Sequence, residues 1–329
     1  MEADSMSRIR LSDIAQAAGV STASVSNALK HKTGVNPEKA EEIRALAAKM
    51  GYGTVSETAR KRMRFIIYKK HGKVIMDTAF FAQLFEGVQD ECRRLKCDLM
   101  INHVRAGDDI SQLLDMPTLL LATEMGLDDL KLFRNMNQPI LLLDSDFRYE
   151  PFSNVSIDNR EAGYIAGKRL IAHGHKRIGF LDSSLGFNNM EDRWAGFVQA
   201  LSEHDLKPFS RVKLEPTVEG ANRDMRAYLD THPALPDAFF AGNDIIAVGV
   251  CMALKRAGYK LPRDLSIVGM DDMPMCQVIE PTLSTVRVDK QRLGATAVRR
   301  LMDMIDGQTQ IERTRLGVSY IERDSVRTL

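Results

Sequence analysis

Residues 10–52 read RLSDIAQAAGVSTASVSNALKHKTGVNPEKAEEIRALAAKMGY, a stretch with three short helical patterns at the head of a much longer chain. Apolar residues in the first pattern recur at i, i+3, i+4 and i+7 and form one stripe along a helix: Leu11, Ile14, Ala15 and Ala18. Gly19 follows and supplies the left-handed residue that commonly ends a helix. The stretch therefore predicts a helix followed by a sharp turn.

The second and third helical patterns each carry a recognisable start. Ser21 can cap the second helix, and Val20 and Val25 have the spacing of a hydrophobic staple around that cap. Asn36 and Pro37 suit the cap and the first position of the third helix. Together the three patterns predict a helix-turn-helix unit, although any one of them alone fits a small helical bundle without a ligand.

Features of this head point to DNA as its partner. Small side chains occupy the outward side of the second helix and can enter a major groove: Thr22, Ala23, Ser24, Ser26 and Asn27. Residues 1–64 carry 11 Lys and Arg against 7 Asp and Glu, whereas the rest of the chain carries 34 against 37. A basic head next to an acidic body favours contact with phosphates.

The composition is typical of a cytoplasmic globular protein, with 44% hydrophobic and 27% charged residues among 329. The first residues lack the apolar segment of a signal peptide, and no apolar run approaches the roughly 18 residues of a membrane span. The chain has four cysteines, at Cys92, Cys97, Cys251 and Cys276, with no CxxC pair and no metal-ligand spacing among them. Buried thiols are therefore expected, and no zinc, disulfide or cofactor is implied.

A polar, basic segment, GYGTVSETARKRMR at residues 51–64, predicts a linker whose cations can lie along a phosphate backbone, with an ordinary solvated tether as the alternative. Beyond it, short β-rich runs alternate with helix-length segments, which is the pattern of doubly wound parallel sheets. There are too many runs for one flavodoxin-like sheet, so two lobes with a ligand between them are expected. The predicted boundaries are 1–52 for the helix-turn-helix domain, 53–64 for the hinge, 65–157 with 287–315 for lobe 1, and 158–286 with 316–329 for lobe 2.

Polar residues at the carboxyl ends of the predicted strands are candidate ligand-binding groups, because ligands of open α/β sheets bind there. Asp144, Asn243 and Asp271 end three of these runs, and Arg193 opens a helix soon after another. Carboxylates, an amide and a guanidinium can hydrogen-bond vicinal hydroxyls. Helix caps and loop ion pairs are the alternative role for any one of these residues.

Four further residues lie at or after the ends of predicted strands, where a residue can be structural or can bind the ligand. Asp244 and Asp272 are expected to be structural rather than ligand-binding. Phe80 and Phe81, after the first strand, can stack on the apolar face of a ligand or belong to the core.

The chain resembles the LacI/GalR family of bacterial transcription regulators, named for the lactose and galactose repressors. Matching stretches occur in the family's order over nearly the whole sequence: DIAQAAGVSTASVSNAL, GHKRIGFL, DRWAGFVQAL, PDAFFAGNDIIAVG, LPRDLSIVGMDD, PTLSTV and IERDSVR. The resemblance implies a lambda-repressor-like head, a periplasmic-binding-protein-like core of two parallel-sheet lobes, and a homodimer on a near-palindromic operator.

The resemblance also implies roles for particular residues. Thr22, Ala23 and Asn27 would contact bases, while Ser21 and Ser26 would contact phosphates. The full set of candidate DNA-binding residues also includes Lys30. The residues that match effector-holding positions of the family are Asp144, Arg193, Asn243 and Asp271, with Phe80 and Phe81 as candidate aromatic walls.

Two segments depart from the family's pattern. The linker lacks the usual Pro-Asn after Tyr52 and has Lys61 and Arg62 where a Leu normally enters the minor groove. A short hinge helix with Met63 as a displaced wedge is the corresponding hypothesis, and the candidate hinge residues are Thr58, Ala59, Lys61, Arg62 and Met63. Residues 107–127 are also short and leave little room for a second helix in lobe 1.

Rival function classes have weaker support. An enzyme acting on a carbohydrate could use Asp271 and Asp272, but adjacent carboxylates rarely face one bond from opposite sides, and phosphate-loop and nucleophile-elbow motifs are absent. An exported sugar receptor would share the two lobes but not the head. The sequence thus predicts a cytoplasmic, dimeric, non-enzymatic repressor without a metal, whose effector is a carbohydrate or, as second choice, a nucleobase.

Overall fold

Three helices make up the N-terminal unit of the computed structural model, which describes residues 10–29, 34–50, 60–73 and 79–329. They are α1 (Leu11–Ala18), α2 (Thr22–Leu29) and α3 (Pro37–Lys49). Gly19 ends α1 with a φ of 65°, as predicted. The Ser21 hydroxyl accepts the Ser24 N–H at 3.1 Å, and Asn36 Oδ1 accepts the Glu38 N–H at 2.9 Å. The predicted caps of α2 and α3 are therefore both present.

The apolar stripes of these helices meet in one small core. Ile14, Val25 and Ile43, one from each helix, are fully buried in it. Arg44 Nη1 donates to the Ala28 carbonyl at 3.1 Å and so satisfies an acceptor in the last turn of α2. These contacts hold α2 at a fixed angle to its neighbours.

Two six-stranded sheets form the second unit, which begins at Arg62. Strands of the first sheet are β1 (Arg62–Lys69), β2 (Asp98–Arg105), β3 (Thr118–Leu121), β4 (Ile140–Leu143), β5 (Ser153–Ile157) and β11 (Arg313–Leu316). Those of the second are β6 (Ile178–Ser183), β7 (Arg211–Leu214), β8 (Ala238–Ala241), β9 (Ser266–Asp271), β10 (Ser284–Arg287) and β12 (Ser319–Ile321). The orders are β11-β5-β4-β3-β1-β2 and β12-β10-β9-β8-β6-β7, and every pairing except β10 with β12 is parallel. This topology confirms two doubly wound parallel lobes.

Helices pack in pairs against these sheets. In the first lobe α4 (Ala79–Arg94) packs on α10 (Lys290–Ile305), which also contacts β3, β4 and β5. The second lobe pairs α6 (Asn159–Ala172) with α7 (Asn188–Ser202) and α8 (Val218–Asp230) with α9 (Asp244–Arg256). A further short helix is α5 (Leu127–Leu130). Between β2 and β3 there is only one 3-10 turn, Ser111–Leu113, as the short segment predicts.

Part of the predicted hinge is wrong. Met63 is the second residue of β1, its side chain is fully buried, and the Cys92 thiol donates to its sulfur at 3.6 Å. A side chain in the core of the lobe cannot also enter a minor groove. Lys61 and Arg62 are exposed at the start of the strand, whereas the predicted hinge residues Thr58 and Ala59 lie outside the described residues.

In the sequence, residues 60–64 look like a linker because they are basic. The partners that allow Arg64 to be buried are distant in the chain. Arg64 is 4% exposed, and its guanidinium donates to Asn102 at 2.9 Å and to Asp115 at 2.8 Å. A buried arginine requires such partners, and sequence alone does not display them.

Two further expectations concern cysteines and membranes. All four cysteines are buried thiols, as predicted. Within the described ranges, no helix has the length and apolar character needed to span a membrane.

Candidate functional sites

All six predicted ligand-binding residues line one cavity between the lobes: Phe80, Phe81, Asp144, Arg193, Asn243 and Asp271. We call it the interlobe cavity. Six further residues of the described ranges also line it: Thr123, Phe187, Asn189, Met190, Ile245 and Met273. The strand-end positions meet there because the chain crosses between the sheets after β5, β10 and β11, which brings the carboxyl ends of both sheets together.

Asp144 follows β4 and is held between the lobes. Its backbone has a φ of 62°, and its side chain is 2% exposed. Thr123 Oγ1 donates to Asp144 Oδ2 at 2.7 Å, and the Asn189 side chain donates from the other lobe to the Asp144 carbonyl at 2.9 Å. The other carboxylate oxygen has no partner among the described residues. Burial raises the pKa of Asp144 to about 7.

Arg193 is the buried cation of the cavity and is held by backbone and amide groups. Its Nε donates to Asn159 Oδ1 at 2.8 Å, and its Nη1 donates to the Gly242 carbonyl. Its Nη2 lies 3.9 Å from Asp271 Oδ1, which accepts no hydrogen bond from any described residue. Burial raises the pKa of Asp271, and the nearby Arg193 and Lys290 oppose that rise. The site thus pairs a pre-oriented guanidinium with an under-satisfied carboxylate.

Asn243 has a structural as well as a candidate binding role. Its Oδ1 accepts the Ile246 N–H at 2.9 Å and caps α9, so the amide nitrogen is the group that can serve a ligand. Phe80 is buried and Phe81 half-buried, and their rings meet edge to face with centroids 5.0 Å apart. Phe80 therefore belongs to the core and to the cavity wall at once.

Asp244 and Asp272 are structural, as predicted. Asp244 accepts the Met273 N–H at 2.8 Å and the Thr285 hydroxyl at 2.7 Å. Arg287 and Arg323 each donate to the Asp272 carboxylate at 2.6 Å. Both carboxylates therefore accept hydrogen bonds from other residues of the chain.

Sequence reasoning missed two polar residues of the cavity. Thr123 lies just beyond the end of β3, so the strand-end argument used for Asp144 could have found it. Asn189 lies at the start of α7, and only the contact between lobes reveals its bond to the Asp144 carbonyl.

The outward side of α2 is the second candidate site. Ser21, Thr22 and Ala23 are exposed, and Ser26 and Asn27 are half-buried, while Val25 and Ala28 face the core. Lys30 lies outside the described residues. The helix therefore presents only small side chains and one amide to its surroundings, which suits close approach to base edges.

A helix-turn-helix unit and a two-lobed core with a polar internal cavity define the class of ligand-controlled DNA-binding regulators. Residues 10–55 match the family described as "Bacterial regulatory proteins, lacI family", and residues 167–326 match "Periplasmic binding protein-like domain". The chain is 30% identical to the HTH-type transcriptional repressor PurR of Mannheimia succiniciproducens, over 90% of this chain and 91% of that protein.

Two other similarities agree with this class. The ribose operon repressor of Haemophilus influenzae is 30% identical over 97% of this chain and 99% of its own length. The solved structure of the Lac repressor dimer bound to operator shares the fold, with a TM-score of 0.74 at 20% identity over 97% of this chain and 99% of that one. The chain belongs to the LacI family. It is a DNA-binding, effector-controlled transcription regulator and not an enzyme.

Proposed function

We propose that the protein represses transcription as a homodimer on a near-palindromic operator, and that a neutral, hydroxyl-rich effector, a sugar or sugar derivative, binds in the interlobe cavity. The observation that carries the effector class is the pair of buried carboxylate oxygens, Asp144 Oδ1 and Asp271 Oδ1, without a partner among the described residues. Buried acceptors need donors, and vicinal hydroxyls supply them. Arg193 and the Asn243 amide can donate to ring or hydroxyl oxygens.

A nucleobase is the second candidate effector. The edge-to-face pair of Phe80 and Phe81 supports it, because an aromatic wall can stack on a planar ring. The carboxylate pair favours the sugar, since it offers more acceptor positions than one flat ring can fill.

Two exposed apolar side chains support the homodimer. Met252 on α9 is 52% exposed, and Val278 is 82% exposed just after the turn Pro274–Gln277 that packs on α9. A second copy of the chain would cover them, because a near-palindromic operator is bound by two copies of the repressor. We also place the linker at residues 53–61 and the protein in the cytoplasm, where its DNA partner is.

The test is a footprinting titration on the protein's own promoter region at two salt concentrations, with and without panels of sugars and nucleobases. A protected pseudo-palindrome supports the dimeric regulator, and the compound that changes protection identifies the effector and the sign of its coupling. Uniform, salt-limited binding without a discrete site would contradict the proposal.

Replacing Asn27 by Ala should relax the base preference at one position of each operator half-site by about 1 to 3 kcal/mol. The amide is the one group on the outward side of α2 that can make a bidentate contact, and adenine is its usual partner. Competition binding with operators changed at single positions measures the effect. Gln16→Ala, which removes an exposed amide from α1, is the control and should leave base preference unchanged. Equal behaviour of the two variants would contradict the assignment.

Effector affinity should rise about tenfold from pH 6 to pH 8, because a pKa of about 7 leaves Asp144 mostly protonated at the lower pH. A ligand hydroxyl donates to the ionised carboxylate, so binding favours ionisation and strengthens as pH rises. Isothermal titration of the compound found by footprinting measures this. Asp144→Asn should weaken the dependence, and affinity that stays constant or falls with pH would contradict the proposed contact.

A further inference from the structure

Lys290 joins the two walls of the interlobe cavity, although it is not among the residues that line it. It is the first residue of α10, a helix of the first lobe, and it is 4% exposed. Its ammonium donates to the Asp271 carbonyl, and to the carbonyls of Val288 at 3.4 Å and Asp272 at 3.5 Å. It also lies 5.9 Å from the centroid of the Phe80 ring. Three backbone acceptors match the three donors of an ammonium group.

The backbone that Lys290 holds has an unusual conformation. Asp271 has a φ of 110° and Asp272 a φ of 52°, both in the region that residues with side chains seldom adopt. Such backbone persists only where the surroundings over-determine it. Arg287 and Arg323 hold the side chain of Asp272, while Lys290 donates to the carbonyls of Asp271 and Asp272.

We propose that Lys290 is a positioning residue of the effector site, which holds the left-handed turn at the end of β9 and places its positive charge beside Asp271 at the cavity wall. Its role toward ligand rests on the proposed function, whereas its role toward Asp271 does not. The ammonium group supplies hydrogen-bond donors to three carbonyls and a positive charge near Asp271, and an apolar side chain can supply neither.

The charges around Asp271 come from four elements. Arg193 on α7 and Lys290 on α10 stabilise its ionised form, while Asp244 on α9 and Asp144 after β4 are acidic neighbours. Asp272, the adjacent residue, is neutralised by its two arginines. Because burial already raises the pKa of Asp271, loss of Lys290 would raise it further and make the folded state costlier wherever Asp271 is ionised.

The experiment is a double-mutant cycle on the full chain without ligand, which compares thermal unfolding of Lys290→Met at pH 5.5 and pH 8 in wild-type and Asp271→Asn backgrounds. In the wild-type background, we expect the variant to lower the Tm by about 3 °C more at pH 8 than at pH 5.5. In the Asp271→Asn background the loss should be equal at both pH values. Arg292→Met removes an exposed charge from the same helix and is the matched control, with no pH-dependent loss expected.

Each outcome decides the proposal. Equal loss at both pH values in the wild-type background would overturn it and leave Lys290 a donor to carbonyls only. If Lys290→Met fails to fold alone but folds with Asp271→Asn, the coupling is supported. Failure of both to fold at either pH would overturn it, because the loss would then be independent of the Asp271 charge. None of these readouts needs the effector, so they stand apart from a failure of the proposed function.

Discussion

Replacing Arg193 by Met is expected to weaken effector binding strongly while operator binding by the ligand-free protein is retained. The guanidinium is 5% exposed, is oriented by Asn159 and the Gly242 carbonyl, and lies 3.9 Å from Asp271. Without it, the Asp271 carboxylate loses its nearest cation, and a ligand loses a pre-oriented donor. A hydrogen bond from a charged donor is worth about 1.5 to 3 kcal/mol, so the affinity for effector should fall at least about tenfold.

Isothermal titration with the compound found by footprinting measures this loss, and fluorescence anisotropy with operator DNA measures the retained function. Arg160→Met is the matched control, because Arg160 is exposed on α6 and donates to Gln199 at 3.3 Å outside the cavity. The control should bind effector as wild type does. Full effector response in Arg193→Met would show that the ligand binds elsewhere.

Gly163→Ala is expected to lower stability by about 3 kcal/mol and to weaken effector binding as well. A Cβ atom at Gly163 would lie 1.9 Å from the Arg193 carbonyl oxygen, and one at Gly196 would lie 1.8 Å from the Arg160 carbonyl oxygen. Both obstacles are backbone, so α6 and α7 would have to separate. The helix that would move carries Arg193, and the substitution therefore acts on the fold and on the cavity together.

Thermal unfolding of Gly163→Ala and of Gly186→Ala tests this expectation. Gly186 precedes α7, has no heavy atom within 4 Å of an added Cβ and does not need a left-handed backbone, so its variant should match wild type. Equal Tm values for the two variants would mean that the helices can separate without cost. The first lobe repeats the arrangement, with Gly87 and Gly294 between α4 and α10.

Much of the cavity is predictable from the sequence because the position of strand ends depends on topology, which the alternation of strands and helices reveals. Asp144, Asn243 and Asp271 each follow a short apolar run, and parallel strands bring such positions to one edge. Topology does not indicate which side-chain atoms already have hydrogen-bond partners within the protein. The side-chain oxygen of Asn243 caps α9. Only the folded structure shows this, because the oxygen accepts the Ile246 N–H there.

Sequence reasoning failed where a residue's role depends on a distant partner. Met63 and Arg64 lie in a basic run typical of a linker, and their burial depends on Cys92, Asn102 and Asp115. Lys290 is a further example, since its acceptors at Asp271 and Asp272 lie at the end of β9, in the other lobe. Such pairings are absent from any local pattern.

By itself the sequence determined the three helices of the head, the caps at Ser21 and Asn36, and the two-lobed class of the core. Helix periodicity, capping and the order of strands are local properties, so neighbouring residues suffice to specify them. Only the tertiary structure decided where β1 begins, which carboxylate oxygens stay unsatisfied and which cation holds the turn after β9. Burial and hydrogen bonding depend on groups that are far apart in the chain and meet only when both lobes have formed.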